Sequence, residues 1–361
     1  MKNLYIIIFL FIYQHISAVD TIRVQLKWKH QFQFAGYYIA KEKGYYEELG
    51  LNVKFIAGNE TCSPVDSVFN NKAEMGISDT ELLIQRNNGK AIVALLAIYQ
   101  HSPLIFLAKK DSGIRNIHDI IGKRVMLEKQ SIELEAYLIN EGIDKDSCII
   151  HPYLPNALLK NNEINFTSAY ITDEPYLLKL HNIDHQIFTP QSAGIDFYGD
   201  ILFTSEDFIQ NNLDDVENFI HATRKGWEYA LSHIDETVNI IYNTYSNPDD
   251  PNHKDIEHLF YEAHESKKLI RNDKEIGYMF EGRWKHIGDI YVKLGMLNPD
   301  FTTEKFIYSK KDYRKTIELW YFPIIAFAVA VVIFIFFAII ISFGIKHTKV
   351  GKFILNIENN D

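Results

Sequence analysis

Only two cysteines, Cys62 and Cys148, occur in the 361 residues, which excludes a disulfide-built scaffold and a four-thiolate zinc site. Basic side chains are in deficit, with 37 Lys and Arg against 47 Asp and Glu, and the formal charge of −10 argues against a nucleic-acid-binding surface. There is no Gly-rich phosphate loop, no Gly-x-Ser-x-Gly elbow and no metalloprotease motif. The 14 histidines are scattered: His181 and His185 stand four residues apart, with His258 and His264 further on. A metal centre needs convergent ligands, so neither a metal nor a cofactor is expected. Internal repeats and low-complexity tracts are also absent. What is present is globular: 47% apolar and 23% charged residues, with 24 Phe and 21 Tyr in surplus. Such a surplus serves either a core or a site for flat ligands.

Two apolar runs stand at the ends. Lys2, the stretch Leu4 to Tyr13 and the small residues Ser17-Ala18 read as an export signal over 1–18, too short to span a bilayer that needs about 20 residues. Phe322 to Ile345 contains no charge, is flanked by Trp320 and Tyr321 on one side and Lys346 on the other, and suits one membrane-spanning helix. The expected layout is an exported domain over 19–318, a span over 322–345 and a short cytoplasmic tail over 346–361: a single-pass membrane protein with its large domain outside the cytoplasm.

Between 20 and 205 short β-rich runs alternate with helical patterns, an α/β arrangement with mostly parallel strands. Strands are expected at Thr21–Trp28, Val53–Ala57, Met75–Ile77, Ile92–Tyr99, Pro103–Ala108, Arg124–Leu127, Cys148–Tyr153, Phe166–Ile171 and Asp200–Thr204. Ser78-Asp79-Thr80-Glu81 has the form of a capping box. From Ser205 onward the spacing is helical, with helices at Asp214–Ile234, Glu236–Tyr245, Asp255–His264 and Glu281–Leu294, and a turn at Pro248 and Pro251. Crossings near 105 and 200 divide the domain into a first lobe over about 20–105 and 200–310 and a second over about 106–199, with a cleft between them.

The stretch VQLKWKHQFQFAGYYIAKEKGYYEELGLNV, followed by AEMGISDTELL, SAYITDEPYLL and AGIDFYGDILFTSEDFI, resembles a periplasmic binding-protein family. That family includes thiamine pyrimidine synthase and the binding proteins for alkylsulfonates and thiamine-pyrimidine precursors. The wording is most similar to the extracytoplasmic sensor modules of membrane-bound kinases and diguanylate cyclases. The resemblance implies a two-lobed flytrap closing on a small organic ligand, with an ABC-type permease or a membrane signalling partner beyond it.

Candidate ligand-binding residues follow from position. Lys27 and Trp28 end a strand, and Phe32, Phe34 and Tyr37 crowd the loop and helix after it, as an aromatic wall or as core. Ser78 and Asp79 open a helix after a strand, for capping or for contact. His101 marks the first crossing, and Tyr198, Gly199 and Asp200 mark the second, as hinge or cleft. Glu128, Thr172 and Glu174 sit at strand-to-helix turns of the second lobe, and a carboxylate there accepts from the amino group of a 4-aminopyrimidine-like ring. The two cysteines fall in opposite lobes, where a disulfide would lock the cleft, so free thiols are expected. In the enzymatic relative the cofactor lysine and a histidine four residues on fall at the positions of Ser78 and Leu82 here, neither of which replaces them. Its cysteine-rich cluster falls near Gly194 to Tyr198, where no cysteine stands. The expectation is a binder, not an enzyme, with the biosynthetic transferase as the rival.

Overall fold

The computed structural model describes residues 21–128, 131–152, 154, 156–160, 163–246, 254–270, 273–313 and 318–347. The export segment, the Pro248–Pro251 turn and the tail after 347 lie outside them. Two compact units result, Met1–Asp312 and Tyr313–Asp361.

Ten strands are seen in the first unit: β1 (Thr21–Gln25), β2 (Asn52–Ile56), β3 (Met75–Ser78), β4 (Ile92–Tyr99), β5 (Leu104–Lys109), β6 (Arg124–Met126), β7 (Ile149–His151), β8 (Phe166–Tyr170), β9 (His185–Phe188) and β10 (Gly199–Ser205). They form two five-stranded sheets, in the orders β2-β1-β3-β10-β4 and β7-β6-β8-β5-β9. Each sheet is mixed. β1 pairs in parallel with β2 and β3, and β6 with β7 and β8, whereas β10 and β5 run antiparallel to their neighbours. The antiparallel strands are the ones that carry the chain between sheets: it leaves the first sheet after Tyr99, enters the second at Leu104, and returns between Phe188 and Gly199.

β9 is absent from the expected strands. Its burial is partial and irregular along the sheet edge, so no alternation marks it in the sequence. β4 shows the opposite case. All eight of its residues are buried although it ends its sheet, because Ala94 exchanges backbone bonds with Phe306 and Tyr308 and Ala97 bonds Gly277.

The longer helices are α1 (Ala35–Glu42), α2 (Pro64–Phe69), α3 (Glu81–Asn87), α4 (Ile132–Asn140), α5 (Glu174–Leu180), α6 (Glu206–Asn211), α7 (Leu213–Ser232), α8 (Ile234–Thr244), α9 (Ile256–Leu269) and α10 (Glu281–Lys293). Along α7 the buried Val216, Phe219, Ile220, Thr223, Trp227, Ala230 and Leu231 keep the three-and-four spacing of one face. That face meets α1 at two glycines: a Cβ on Gly226 would stand 2.1 Å from the Gly36 carbonyl, and one on Gly36 would stand 2.1 Å from the Trp227 ring. The crossing fixes α1, and with it the loop that leads from β1 into the cleft.

The capping box at Ser78 is only half formed. Glu81 reaches back to the Asp79 N–H at 3.4 Å, but the Ser78 hydroxyl donates to the Glu81 carboxylate, and Thr80 takes the cap position without a side-chain bond. Cys62 and Cys148 are free thiols in different lobes.

The second unit is described chiefly as one helix, α11 (Glu318–His347), whose described side chains, at 326–339 and 341, are exposed, Phe327 and Phe334 at 73% and 75%. Among the described residues, no helix is long and apolar enough to cross a membrane.

Candidate functional site

The carboxyl ends of β1, β2 and β3 in the first lobe face those of β6 and β8 in the second. The first compartment between them is lined by Lys27, Trp28, Gln31 and Gln33 from one side and Glu128, Ser131, Tyr170, Asp173 and Glu174 from the other. Its free volume is about 30 Å3, room for little more than a water molecule. A second, open compartment of about 300 Å3 follows the same seam, from Cys62, Pro64, Ser78 and Glu81 to Ile132 of the second lobe. Ser131 and Ile132, which line the two spaces, are consecutive in the chain.

Lys27 is the centre of the inner compartment. Its side chain is 6% exposed, hydrogen-bonds Asp79 and the Tyr170 hydroxyl across the cleft, and stands 3.7 Å from Asp200. Burial pulls its amine down, but Asp79 and Asp200 outweigh that and hold it above the ordinary lysine value. Asp79 also accepts from the Asp200 N–H at 3.2 Å, and Gln33 donates to Asp200 at 2.7 Å. Asp200 takes a left-handed φ of 49°, uncommon for a non-glycine residue, at the point where the chain re-enters the first sheet. Burial pushes its carboxyl up to about 7, against the pull of Lys27.

Across the cleft, Glu128 is pushed up to about 7 by burial, and Glu174 well above the usual carboxyl range by burial together with Asp173 and Glu128. The two side chains also line a small, partly open space of about 20 Å3 beside Leu107, Met126, Leu158 and Leu178, whose apolar side chains add to that burial. Glu174 is fixed by the Tyr170 N–H at 2.8 Å, and the Glu128 N–H donates to Ser168 at 3.0 Å. The Ser131 hydroxyl, 1% exposed, has no hydrogen-bond partner among the described residues.

A second ionic bridge closes the rim. Lys254 donates to Gln31 at 2.7 Å, to Asp173 of the second lobe at 2.5 Å and to Glu262. His258 Nε2 stands 2.8 Å from the other Asp173 oxygen, its ring stacked on Tyr176, and the Tyr261 hydroxyl donates to the Ile171 carbonyl at 3.1 Å. Burial acts to raise the Asp173 carboxyl, but Lys254 and His258 bring it well below the usual range.

Of the residues singled out in the sequence, Lys27, Trp28, Glu128 and Glu174 line the inner compartment, with Asp79 and Asp200 directly behind Lys27. Ser78 lines the outer one. The aromatic wall reduces to Trp28: Phe32 and Phe34 are fully buried, and Tyr37 packs edge-on against Trp227 and Phe55. They form the interior of the first lobe: the 3-10 turn Phe32–Phe34 packs against α9 and α1, and both of its rings are fully buried. Tyr198 packs against Trp284 beneath the Arg283 guanidinium, and Gly199 closes on Pro103, where a Cβ would come within 2.8 Å. His101 joins Asp196 at 2.9 Å between the two crossings, and Thr172 is buried off the lining. Gln31, Gln33, Ser131, Tyr170, Asp173 and Lys254 were not among the expected site residues. Gln33 and Asp173 had a signal, a polar residue amid aromatics and a carboxylate beside Glu174. Lys254 had none, being over 220 residues from Gln31 in the chain.

The NMT1/THI5-like family model matches residues 31–237. Riboflavin-binding protein RibY of Chloroflexus aurantiacus is 22% identical over 236 residues, covering 62% of this chain and 66% of that protein. The formylaminopyrimidine-binding protein of Halalkalibacterium halodurans is 22% identical over 245 residues, covering 62% and 71%. The matches therefore span about two thirds of each relative's length. Among solved structures, the alkanesulfonate-binding protein SsuA of Xanthomonas axonopodis pv. citri superposes with a TM-score of 0.62 at 10% identity, over 81% of this chain and 99% of that one. The likeness establishes the two-lobed periplasmic binding-protein fold, and with the family match running over more than half of its length, this chain belongs to the NMT1/THI5-like family.

Proposed function

We propose that this protein is a membrane-tethered extracytoplasmic receptor whose lobes close on an uncharged, amino-bearing heterocycle of the formylaminopyrimidine kind and deliver it to an ABC-type permease. The observation that carries the ligand class is the pair of raised carboxyls, Glu128 and Glu174, beside the Trp28 and Tyr170 rings. A protonated carboxyl donates through its O–H and accepts through its C=O, which matches a ring nitrogen next to an exocyclic amine. The flanking aromatic faces suit a flat ring. A sulfonate is disfavoured on the same ground: among the described residues lining the compartment the cation is Lys27, and Asp79 and Asp200 already neutralise it.

A transferase activity lacks its parts in this reading. Ser78 is committed to Glu81, and Leu82 is a fully buried core residue. The tether is the charge-free run Phe322–Ile345, helical within α11, with the signal over 1–18 directing residues 19–318 outside. Isothermal titration of the full chain in detergent tests the ligand class. Formylaminopyrimidine should bind with a heat that Glu174→Ala abolishes, while an alkanesulfonate gives none. Binding of the sulfonate alone sinks the reading. A cognate permease that captures the loaded receptor supports delivery, whereas a response only from a membrane kinase or cyclase turns it into a sensor subunit.

A further inference from the structure

Lys254 belongs to the first lobe by its packing, since two of its three hydrogen bonds go to Gln31 and to Glu262 on α9. The third goes to Asp173, at the start of α5 in the second lobe. An ammonium has three donors, and all three are engaged. Each Asp173 oxygen faces the first lobe, one accepting from Lys254 and the other 2.8 Å from His258. Lys254 and Asp173 are each 13% exposed, so solvent screens the pair little. Behind it the inner compartment has a free volume of only about 30 Å3, which no ring enters without the lobes parting. A ring in the inner compartment and the Lys254–Asp173 bond at its present length exclude each other.

We propose that Lys254 is an internal counter-ligand: it clasps Asp173 to hold the lobes shut when the cleft is unfilled, and an incoming solute has to displace it. This concerns regulation of the site assigned above and rests on that reading for the solute, while the clasp itself rests on the Lys254–Asp173 geometry. Losing a close charge pair between two bodies shifts the closed-to-open ratio by about tenfold, which is about 1.4 kcal/mol. Since apparent affinity scales with the fraction of protein able to accept ligand, removing the clasp tightens binding.

The test is a distance measurement across the cleft on the full chain in detergent. Fluorescent labels are placed on Glu47→Cys in the first lobe and Asp146→Cys in the second, both exposed, with Cys62 and Cys148 replaced by Ser. Without ligand, the parent should show the short, closed distance, and Lys254→Met should shift the population to a longer one. Asp173→Ala, which removes the acceptor from the other lobe, should do likewise, and circular dichroism checks that each variant is folded. A parent that is already open, or folded variants whose distance is unchanged, overturns the clasp. Titrated with formylaminopyrimidine, Lys254→Met should bind about tenfold tighter. Weaker binding makes Lys254 a ligand contact and overturns the counter-ligand role. No response in either protein refutes the ligand class while leaving the ligand-free distances to judge the clasp.

Discussion

Removing the Lys27 ammonium should be the most damaging single change at the cleft. Lys27, Asp79 and Asp200 have side chains 6%, 5% and 2% exposed, so water cannot replace the lost cation. Lys27→Met keeps the aliphatic bulk but leaves two carboxyls facing each other, with only the Asp200 N–H and the Gln33 amide to compensate. Breaking a buried pair from one side costs about 3–5 kcal/mol. Against a total of about 5–15 kcal/mol, that is a large fraction. At roughly 2–4 °C per kcal/mol for a domain of this size, the melting temperature should fall by about 10 °C. The loss should depend on pH in a definite sense. Without Lys27 the Asp200 carboxyl, already pushed up by burial, rises further, so the folded form holds a proton that the unfolded chain releases near 3.8. The penalty is then small at low pH and grows as pH rises through that window, so the variant should be less impaired at pH 5 than at pH 8. Lys27→Met combined with Asp79→Asn removes one charge of each sign and should recover most of the loss. Differential scanning calorimetry at the two pH values decides the matter. A single variant within 1 kcal/mol of the parent, or a double variant no better than the single, refutes the account of Lys27 as the neutralising centre of the cleft.

Glu128, raised from 4.5 to about 7, makes the fold less stable as pH rises between those values, so Glu128→Gln should raise the melting temperature at pH 8 and change it little at pH 4.5. A shift of equal size at both values would show that the carboxyl is ordinary. Phe34→Ala, which empties a fully buried position, should cost about 3–5 kcal/mol in chemical denaturation. Trp28→Ala should leave stability within about 1 kcal/mol and lower ligand affinity instead, the reverse pattern identifying Phe34 as the contact. Gly226→Ala drives a methyl into the Gly36 carbonyl and should destabilise the first lobe by roughly 1–3 kcal/mol or more, whereas Gly44→Ala, with open space around its Cβ but a φ of 75°, should cost only the backbone strain of about 1 kcal/mol. Thermal denaturation of the two variants side by side checks the difference.

The local chemistry of the chain already carried its α/β alternation. Strands such as β4, with eight consecutive apolar residues, and helices such as α7, with one apolar face, state their conformation and their burial in the sequence itself. Lys27, Trp28, Glu128 and Glu174 were legible for a related reason: each stands at or just beyond the end of a strand, and strand ends in such sheets open onto the cleft. The aromatics after Trp28 were not legible as core, because an apolar ring serves a pocket and an interior equally well, and only the packing of Phe32–Phe34 against α9 and α1 chose between them. The bonds that close the cleft belong wholly to the tertiary structure. Lys254 meets Gln31 and Asp173, and Lys27 meets Tyr170 and Asp200, across 81 to 223 residues of chain. A charge carries no mark of the partner that folding will bring to it, so composition and spacing supplied the groups while the packing of the two lobes decided which of them are paired, which are pushed up by burial, and which face the space between.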